Sequence, residues 1–115
     1  MDSNTGMKVV MITASSPDEG SRIAEALVAE KLAACVNRVD GISSVYWWKG
    51  NIERSSESLL IAKTRGDLVE LLVRRVKELH SYSVPEVVVL PIEAGNPDYL
   101  KWIEEETIPK TTWKR

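Results

Sequence analysis

The order in which two kinds of hydrophobic pattern follow one another is the feature that most restricts the fold of this chain. Short apolar runs typical of strands and runs with helical periodicity alternate as strand, helix, strand, strand, helix, strand, with a short helix at the end. Right-handed crossovers place both long helices on the same face of a four-stranded sheet. We therefore predict an α+β fold, a ferredoxin-like β-α-β-β-α-β sandwich with an additional C-terminal helix.

Local signals predict where the elements begin and end. The first strand runs from Lys8 to a helix start at Ser16, which fits an N-cap, with Pro17 in the first turn and Glu19 closing a capping box onto Ser16. That helix is predicted over residues 17–31. The other elements are predicted as a long strand over 32–48 bent near Gly41, a strand over 57–64 after a turn at 49–51, a helix capped by Thr64, a strand over 86–90 and a short helix opened by Asn96 and Pro97.

Length and composition indicate one globular domain. The chain has 115 residues, of which 43% are hydrophobic and 28% charged, which is ordinary for a folded domain of this size. We predict a flexible N-terminus over residues 1–6, a single domain over 7–106 and a C-terminal tail over 107–115.

The same numbers exclude several classes of protein. A net charge of −2 argues against a nucleic-acid-binding protein, and no apolar run approaches the roughly 18 residues of a membrane span. One cysteine and one histidine exclude a disulfide framework and a zinc finger within one chain. Cys35 lies in the apolar run LAACV and is predicted to be buried and inert. With no signal peptide in the sequence, we expect a cytoplasmic protein.

Two adjacent tryptophans indicate self-association. Trp47 and Trp48 lie in one strand, so they point to opposite sides of the sheet, and a small domain can hardly bury both. At least one of them should lie in a subunit interface or a cleft. The sheet face without helices is also apolar in the sequence pattern, and another copy of the chain is the economical cover for it.

The loop between the second long helix and the last strand is the best candidate for a binding site. It brings His80, Tyr82 and Glu86 within seven residues, which suits a hard-to-intermediate metal ion or a small polar ligand. Glu57 and Lys63 are interpreted as solvated charges at strand ends. No nucleophile with an orienting base is evident, so the sequence predicts a protein without enzymatic activity.

Helix length restricts how Lys63 could contribute to that site. Lys63 and His80 lie at opposite ends of a helix of ~15 residues, or about 22 Å. One subunit therefore should not bring them together. A neighbouring subunit would have to supply Lys63 or Trp48, which predicts a ligand cleft between subunits formed by Trp48, Lys63, His80, Tyr82 and Glu86.

Several motifs resemble the CutA divalent-cation tolerance proteins. They are KLAACVN at residues 31–37, Tyr46-x-Trp48-x-Gly50, His80-x-Tyr82-x-x-Pro85-Glu86 and Tyr99-x-x-Trp102. The resemblance implies a ferredoxin-like homotrimer. With the two adjacent tryptophans, this predicts that Tyr46, Trp47 and Trp48 lie in the trimer interface. It also implies a role in tolerance of copper and other divalent metals, without an established enzymatic activity, and a shape similar to that of the PII signalling proteins.

The chain departs from that family's pattern at the positions that hold copper. Copper-binding members have a cysteine on the first strand and two adjacent histidines, whereas here Thr13 and Ala14 lie on that strand and Leu79 precedes His80. Ser81 replaces the family's usual proline. We therefore expect no required cofactor and at most weak binding of Cu(II) or another divalent cation, through His80, Glu86 or a shared site. The alternative is a PII-like trimeric signalling module that binds a small anion or nucleotide between subunits.

Overall fold

The element order predicted from the sequence is confirmed. A computed structural model describes residues 5–109. Its elements are β1 Met7–Ala14, α1 Pro17–Ala29, β2 Cys35–Trp48, β3 Asn51–Arg65, a single 3-10 turn Gly66–Leu68, α2 Val69–Leu79, β4 Val87–Pro91 and α3 Pro97–Glu105. None of the helices within residues 5–109 is long and apolar enough to cross a membrane.

The four strands form one antiparallel sheet in the order β2-β3-β1-β4. The two central strands are the apolar ones, because they are covered on the helix side and flanked on both edges. Val10 on β1 pairs with Ala62 on β3 and with Val89 on β4. This confirms the predicted four-stranded sheet and its α+β class.

The hydrophobic core lies between the sheet and the helices α1 and α2. Alternate residues of the central strands point into it, which is the period expected of a strand with one face buried. Matching apolar positions on the two helices pack against them. The fully buried side chains of this core include Val10, Ile12, Leu60, Ala62, Ile23, Leu27, Leu72 and Val76.

The hairpin of β2 and β3 combines a bulge with a tight turn. The register shifts between Val39 and Ile42, where Gly41 has φ of +74°, so the predicted bend is a β-bulge. At the tip, Lys49 and Gly50 both have positive φ and connect the paired residues Trp48 and Asn51. Positive φ at both central positions is the signature of a two-residue hairpin turn that matches the strand twist.

The pairing across this hairpin decides which side chains share a face. Directly paired residues of antiparallel strands point to the same side. Ile42 pairs with Glu57, and Tyr46 and Trp48 follow Ile42 at even spacing, so these two aromatic side chains share the face of Glu57. Trp47 points to the other side, as its position next to Trp48 predicts.

The first helix ends earlier than predicted, at Ala29 rather than near residue 31. The next residue, Glu30, is the C-cap, and Lys31 then turns the chain with φ of 60°. Left-handed backbone is unfavourable for a residue with a Cβ atom. Within residues 5–109, the Lys31 side chain forms one long, exposed ion pair, with Glu106 at 3.8 Å.

Glycine at position 31 is therefore expected to raise the free energy of unfolding, by about 1 kcal/mol. The measurement is urea denaturation of Lys31→Gly against the parent at a fixed protein concentration. Lys31→Ala serves as the control, because it removes the ion pair but keeps the Cβ atom. Equal stability of the glycine and alanine variants would contradict the argument.

The predicted cap of the second helix is wrong. Thr64 lies inside β3, and its buried hydroxyl donates to the Leu32 carbonyl at 2.7 Å instead of capping a helix. The helical segment starts with the 3-10 turn, and Arg65 before it makes no side-chain cap. The buried Leu32 explains the difference, since its carbonyl needs a donor where the chain enters β2. The last strand is also shifted by one residue, to Val87–Pro91.

Hydrogen bonds tie both ends of the described chain to the fold. Thr5 donates to the Ile92 carbonyl at 2.6 Å, and Gly66 donates to the Gly6 carbonyl at 2.8 Å, so residues 5 and 6 are tied to the fold. Thr107 is buried and accepts from the Arg65 guanidinium at 3.0 Å. The rest of the predicted N-terminus, residues 1–4, and of the tail, residues 110–115, lies outside the described residues.

The prediction that Cys35 is buried is also wrong. Its side chain is half-buried, because Cys35 begins the edge strand β2 and lies opposite Lys63. The Tyr99 phenol of α3 lies beside it. Burial, together with the neighbouring Cys35, raises the pKa of Tyr99.

Candidate functional site

A cleft of about 540 Å³ opens between the hairpin and the loop that precedes β4. The hairpin supplies the aromatic wall, and the loop supplies the opposite wall. Thr13 of β1 and Glu57 of β3 also line it. The lining residues are Thr13, Ser44, Val45, Tyr46, Trp48, Glu57, Tyr82, Ser83, Val84 and Glu86.

Glu57 is the most enclosed charged group of the cleft. Only 7% of the residue is exposed, and the Tyr82 hydroxyl donates to its Oε2 at 2.7 Å. Burial, then this hydrogen bond and the charge of Glu57, raise the pKa of Tyr82, so the phenol stays protonated at neutral pH and acts as a donor. The interpretation of Glu57 as a solvated charge is therefore wrong.

The hairpin contributes an aromatic surface that is partly open to solvent. Tyr46 is 40% exposed and Trp48 is 44% exposed, and both line the cleft. The Lys49 ammonium lies 5.8 Å from the centre of the Trp48 ring, within the range of a cation–π contact. An ammonium group therefore already approaches this ring.

His80 does not line the cleft, because the fold uses both of its ring nitrogens. Nε2 lies 2.6 Å from the Thr13 carbonyl oxygen, and Nδ1 accepts the backbone N–H of Tyr82 at 3.1 Å. Because a carbonyl can only accept, Nε2 carries the proton in this arrangement. His80 is buried, and it holds the start of the loop against the end of β1. Neither ring nitrogen is free for a metal ion.

A second buried carboxylate, Glu19, fixes the same loop from the helix side. Glu19 Oε1 accepts from the backbone N–H and the hydroxyl of Ser15, both at 2.8 Å, and Oε2 accepts the backbone N–H of Ser81 at 2.7 Å. Burial alone would raise the pKa of Glu19, but the hydrogen bonds from Ser15 and Ser81 outweigh it and lower the pKa to about 2. Ser16 caps α1 as predicted, but the Glu19 carboxylate binds Ser15 rather than Ser16.

Ser81 contributes the backbone N–H that makes this connection. Proline, which the resemblance gives as the usual residue at this position, has no N–H and could not donate to Glu19. Loss of the proline ring by itself would make the loop less rigid. The structure instead gives the serine a short hydrogen bond to a buried carboxylate.

Lys63 lies away from the cleft within one chain. Its ammonium donates to the Asn37 side chain across β2 and β3. Lys63 and Glu57 are six residues apart on β3, which is about 20 Å along an extended strand. Of the five residues predicted for a shared ligand site, the chain brings Trp48, Tyr82 and Glu86 together and leaves Lys63 and His80 outside.

The residues that the sequence reasoning missed are the two buried carboxylates. Strand alternation does not reveal Glu57, because it shares a face both with the exposed Asn51 and Glu53 and with the half-buried Leu59 and Ile61. Glu19 offered no signal either. Its position three residues after an N-cap is typical of an exposed capping acid. The neighbouring sequence does not show that Ser81, 62 residues later, lies within hydrogen-bonding distance of the Glu19 carboxylate.

The donors in one chain do not fit a tight metal site. Within residues 5–109, no group of three or more His, Cys, Asp and Glu side chains is placed to hold a metal ion. The predicted pair of His80 and Glu86 is not brought together as ligands, since His80 is enclosed and Glu86 is exposed at the cleft.

Known proteins match this chain over most of its length. The family model of the CutA1 divalent ion tolerance protein matches residues 8–106. The divalent-cation tolerance protein CutA of Thermus thermophilus is 49% identical over 100 residues, which is 87% of this chain and 97% of the relative. The chloroplastic protein CutA 1 of Oryza sativa is 50% identical over 99 residues, or 86% of this chain. The chain spans 56% of the length of that relative and 54% of the chloroplastic CutA of Arabidopsis thaliana.

Solved structures agree with the sequence matches. The crystal structure of CutA1 from Oryza sativa has a TM-score of 0.88 at 46% identity and covers 93% of this chain and 98% of its own. The Thermus thermophilus protein has a TM-score of 0.86 at 48% identity and covers 88% and 98%. From the family match and these identities, the chain belongs to the CutA1 divalent ion tolerance family.

Proposed function

We propose that this chain is a cytoplasmic, non-enzymatic homotrimer that acts in tolerance of divalent metal ions such as copper, through weak metal binding or by transmitting a metal-stress signal. Family membership supports the link to divalent cations. The exposed aromatic hairpin is the main observation that supports a trimer. Trp47 is 70% exposed, and Val45 and Ile52 beside it are 61% and 51% exposed.

Exposed apolar side chains also lie on both edge strands of the sheet. Leu90 is 45% exposed and Val88 is 46% exposed on β4, and Val39 on β2 is 46% exposed. Exposed apolar surface supports protein–protein contacts at these positions. Contact between copies would cover it and would place Tyr46, Trp47 and Trp48 at or near an interface, as the resemblance implies.

The proposed ligand cleft is completed at that interface. One chain supplies Trp48, Tyr82 and Glu86, and Lys63 can only come from a neighbour. Because His80 is enclosed, a divalent ion would be held weakly by exposed carboxylates such as Glu86 or by groups of two subunits. Oxygen ligands of this kind suit hard divalent ions better than soft ones.

The PII-like alternative, binding of a small anion or nucleotide, has less support. Within the part of the chain that the structure describes, no Lys, Arg or His lines the cleft. An anion would meet two carboxylates, Glu57 and Glu86, and would depend on a neighbour's Lys63 for attraction. The alternative predicts that phosphate or a nucleotide raises the melting temperature of the assembly.

The trimer predicts a mass near three times the chain's 12.9 kDa in light scattering at micromolar concentration. Trp47→Ser should shift the protein toward the monomer, because it removes the most exposed apolar side chain of the hairpin. Val28→Ser, at an exposed position on α1 (42%), is the matched control and should leave the mass unchanged. A stable monomer of the unmodified protein would refute the proposal.

The role in tolerance is tested in cells that lack their own copy of such a protein. Expression of the unmodified chain should restore growth in elevated Cu(II), and the Trp47→Ser variant should restore it less if the trimer is required. Equal growth with the chain and with an empty vector would contradict the proposed role, whatever the oligomeric state.

A further inference from the structure

Glu57 is a buried carboxylate without a cation. Among residues 5–109, no Lys, Arg or His forms an ion pair with it, and the Tyr82 hydroxyl is its hydrogen-bond donor. Tyr82 occupies Oε2, so Oε1 retains its full capacity to accept. Removing a carboxylate from water without a compensating charge is unfavourable, and this one faces a cleft rather than the core.

The rest of the cleft has the chemistry of a site for a positive ligand. A second carboxylate, Glu86, lies on the opposite wall from the hairpin, and the hydroxyls of Ser44 and Ser83 add further acceptors. The rings of Tyr46 and Trp48 supply faces with negative electrostatic potential. The Lys49 ammonium, which lies outside the cleft lining, already approaches the Trp48 ring to 5.8 Å.

Size and shape favour a small molecule over a bare ion. The cleft encloses about 540 Å³, which is within the range of sites for small organic ligands. Val84 lines it beside the polar groups, so a ligand with a short apolar stem can contact both kinds of surface. A bare divalent metal ion would use the carboxylates but neither the aromatic wall nor Val84.

We propose that this cleft binds an aliphatic ammonium ion, with Glu57 and Glu86 accepting its N–H groups and Trp48 and Tyr46 packing against its carbon chain. All of these residues belong to one chain, although Tyr46 and Trp48 also lie at or near the proposed interface. The ammonium proposal does not rest on the role in metal tolerance. A primary ammonium suits the cleft better than a quaternary one, because the carboxylates and hydroxyls need hydrogen-bond donors.

The test is isothermal titration calorimetry of the whole protein with 1,4-diaminobutane at fixed ionic strength. The diamine should bind, and its neutral analogue 1,4-butanediol should give no measurable heat. Tetramethylammonium should bind about tenfold more weakly, since it has no N–H to donate. Equal affinity for the diol, or no heat with the diamine, would overturn the proposal.

Variants locate the bound ammonium. Glu57→Gln and Trp48→Leu should each weaken diamine binding by about tenfold. Trp102→Leu is the control for Trp48, because Trp102 on α3 is a partly exposed tryptophan that does not line the cleft. Glu70→Gln on α2 is the control for Glu57. Both controls should stay within about twofold of the parent. Losses of the same size in the controls would place the binding elsewhere.

Competition separates this ligand from the proposed metal and from an anion. The diamine should retain its affinity in the presence of equimolar ZnCl₂ and should not be displaced by inorganic phosphate. Zn²⁺ binding that is lost in Glu57→Gln, in a protein that gives no heat with the diamine, would make the cleft a metal site and reject the ammonium proposal. Phosphate binding at the cleft would reject the ammonium proposal in favour of the module that binds an anion. Neither result would change the molecular mass that light scattering gives for the assembly.

Discussion

Glutamine in place of Glu19 is expected to lower the free energy of unfolding by about 3 kcal/mol. The carboxylate accepts from two donors of Ser15 and one of Ser81. A glutamine amide offers one oxygen and one NH₂ group, so the NH₂ must face at least one of these donors. The buried N–H left without an acceptor accounts for most of the loss.

The measurement is urea denaturation at neutral pH and a fixed protein concentration, since assembly makes stability depend on concentration. Glu25→Gln is the matched control, because Glu25 is on the same helix but exposed, with only a long hydrogen bond from Ser21 at 3.3 Å. Its effect should be within about 0.5 kcal/mol. A similar small effect for both variants would show that the Glu19 hydrogen bonds add nothing to stability.

The same contribution should disappear in acid. The pKa of Glu19 falls from 4.5 to about 2 on folding, which corresponds to about 3 kcal/mol of stability. A lowered pKa stabilises the fold above the unfolded value and ceases to do so as the pH falls through the folded value. The stability difference between the parent and Glu19→Gln should therefore shrink between about pH 4.5 and pH 2. A difference that stays constant over this range would contradict the assignment.

Alanine at position 80 is expected to destabilise the fold by about 3 kcal/mol while leaving metal affinity unchanged. His80 bridges the Thr13 carbonyl and the Tyr82 N–H inside the protein, so its loss leaves both groups buried without partners and opens a cavity. Titration of the folded variant with ZnCl₂ or CuCl₂ should match the parent, because neither ring nitrogen faces a ligand.

Glu86→Gln provides the opposite control. Glu86 is exposed and forms no ion pair within residues 5–109, so its replacement should leave stability within about 0.5 kcal/mol of the parent and weaken any metal binding at the cleft. A His80→Ala variant that is as stable as the parent but has lost metal affinity would restore His80 as a ligand.

The fold could be predicted because local pattern and global topology agree. The strand pattern of β1, the cap at Ser16, the bulge at Gly41 and the turn at Gly50 are each set by neighbouring residues, and all four are present in the structure. The errors concern residues whose role is decided by distant parts of the chain. The Thr64 hydroxyl is of the type that caps a helix, but it donates instead to the carbonyl of Leu32, 32 residues earlier.

The site was only partly predictable for the same reason. Trp48, Tyr82 and Glu86 were identified from residue type and loop position, and they do line one cleft. His80 was assigned a ligand role because imidazole is a common ligand, yet its surroundings turn both nitrogens inward. The Thr13 carbonyl and the Tyr82 backbone N–H each need a hydrogen-bond partner, and His80 provides both. The sequence pattern does not show that these two groups lack other partners.

The tight turn at Lys49 and Gly50 also has a consequence for the order in which the chain folds. Trp48 and Asn51 are three residues apart, and pairing can extend outward from them to Cys35 and Lys63, so each new pair closes only a small additional loop. The β1–β3 pairs join residues 44 to 58 positions apart and close much larger loops. We expect the β2–β3 hairpin to form on the microsecond scale of isolated hairpins and the docking of β1 to limit the overall rate. Substitutions at the turn should then change the folding rate less than substitutions in β1.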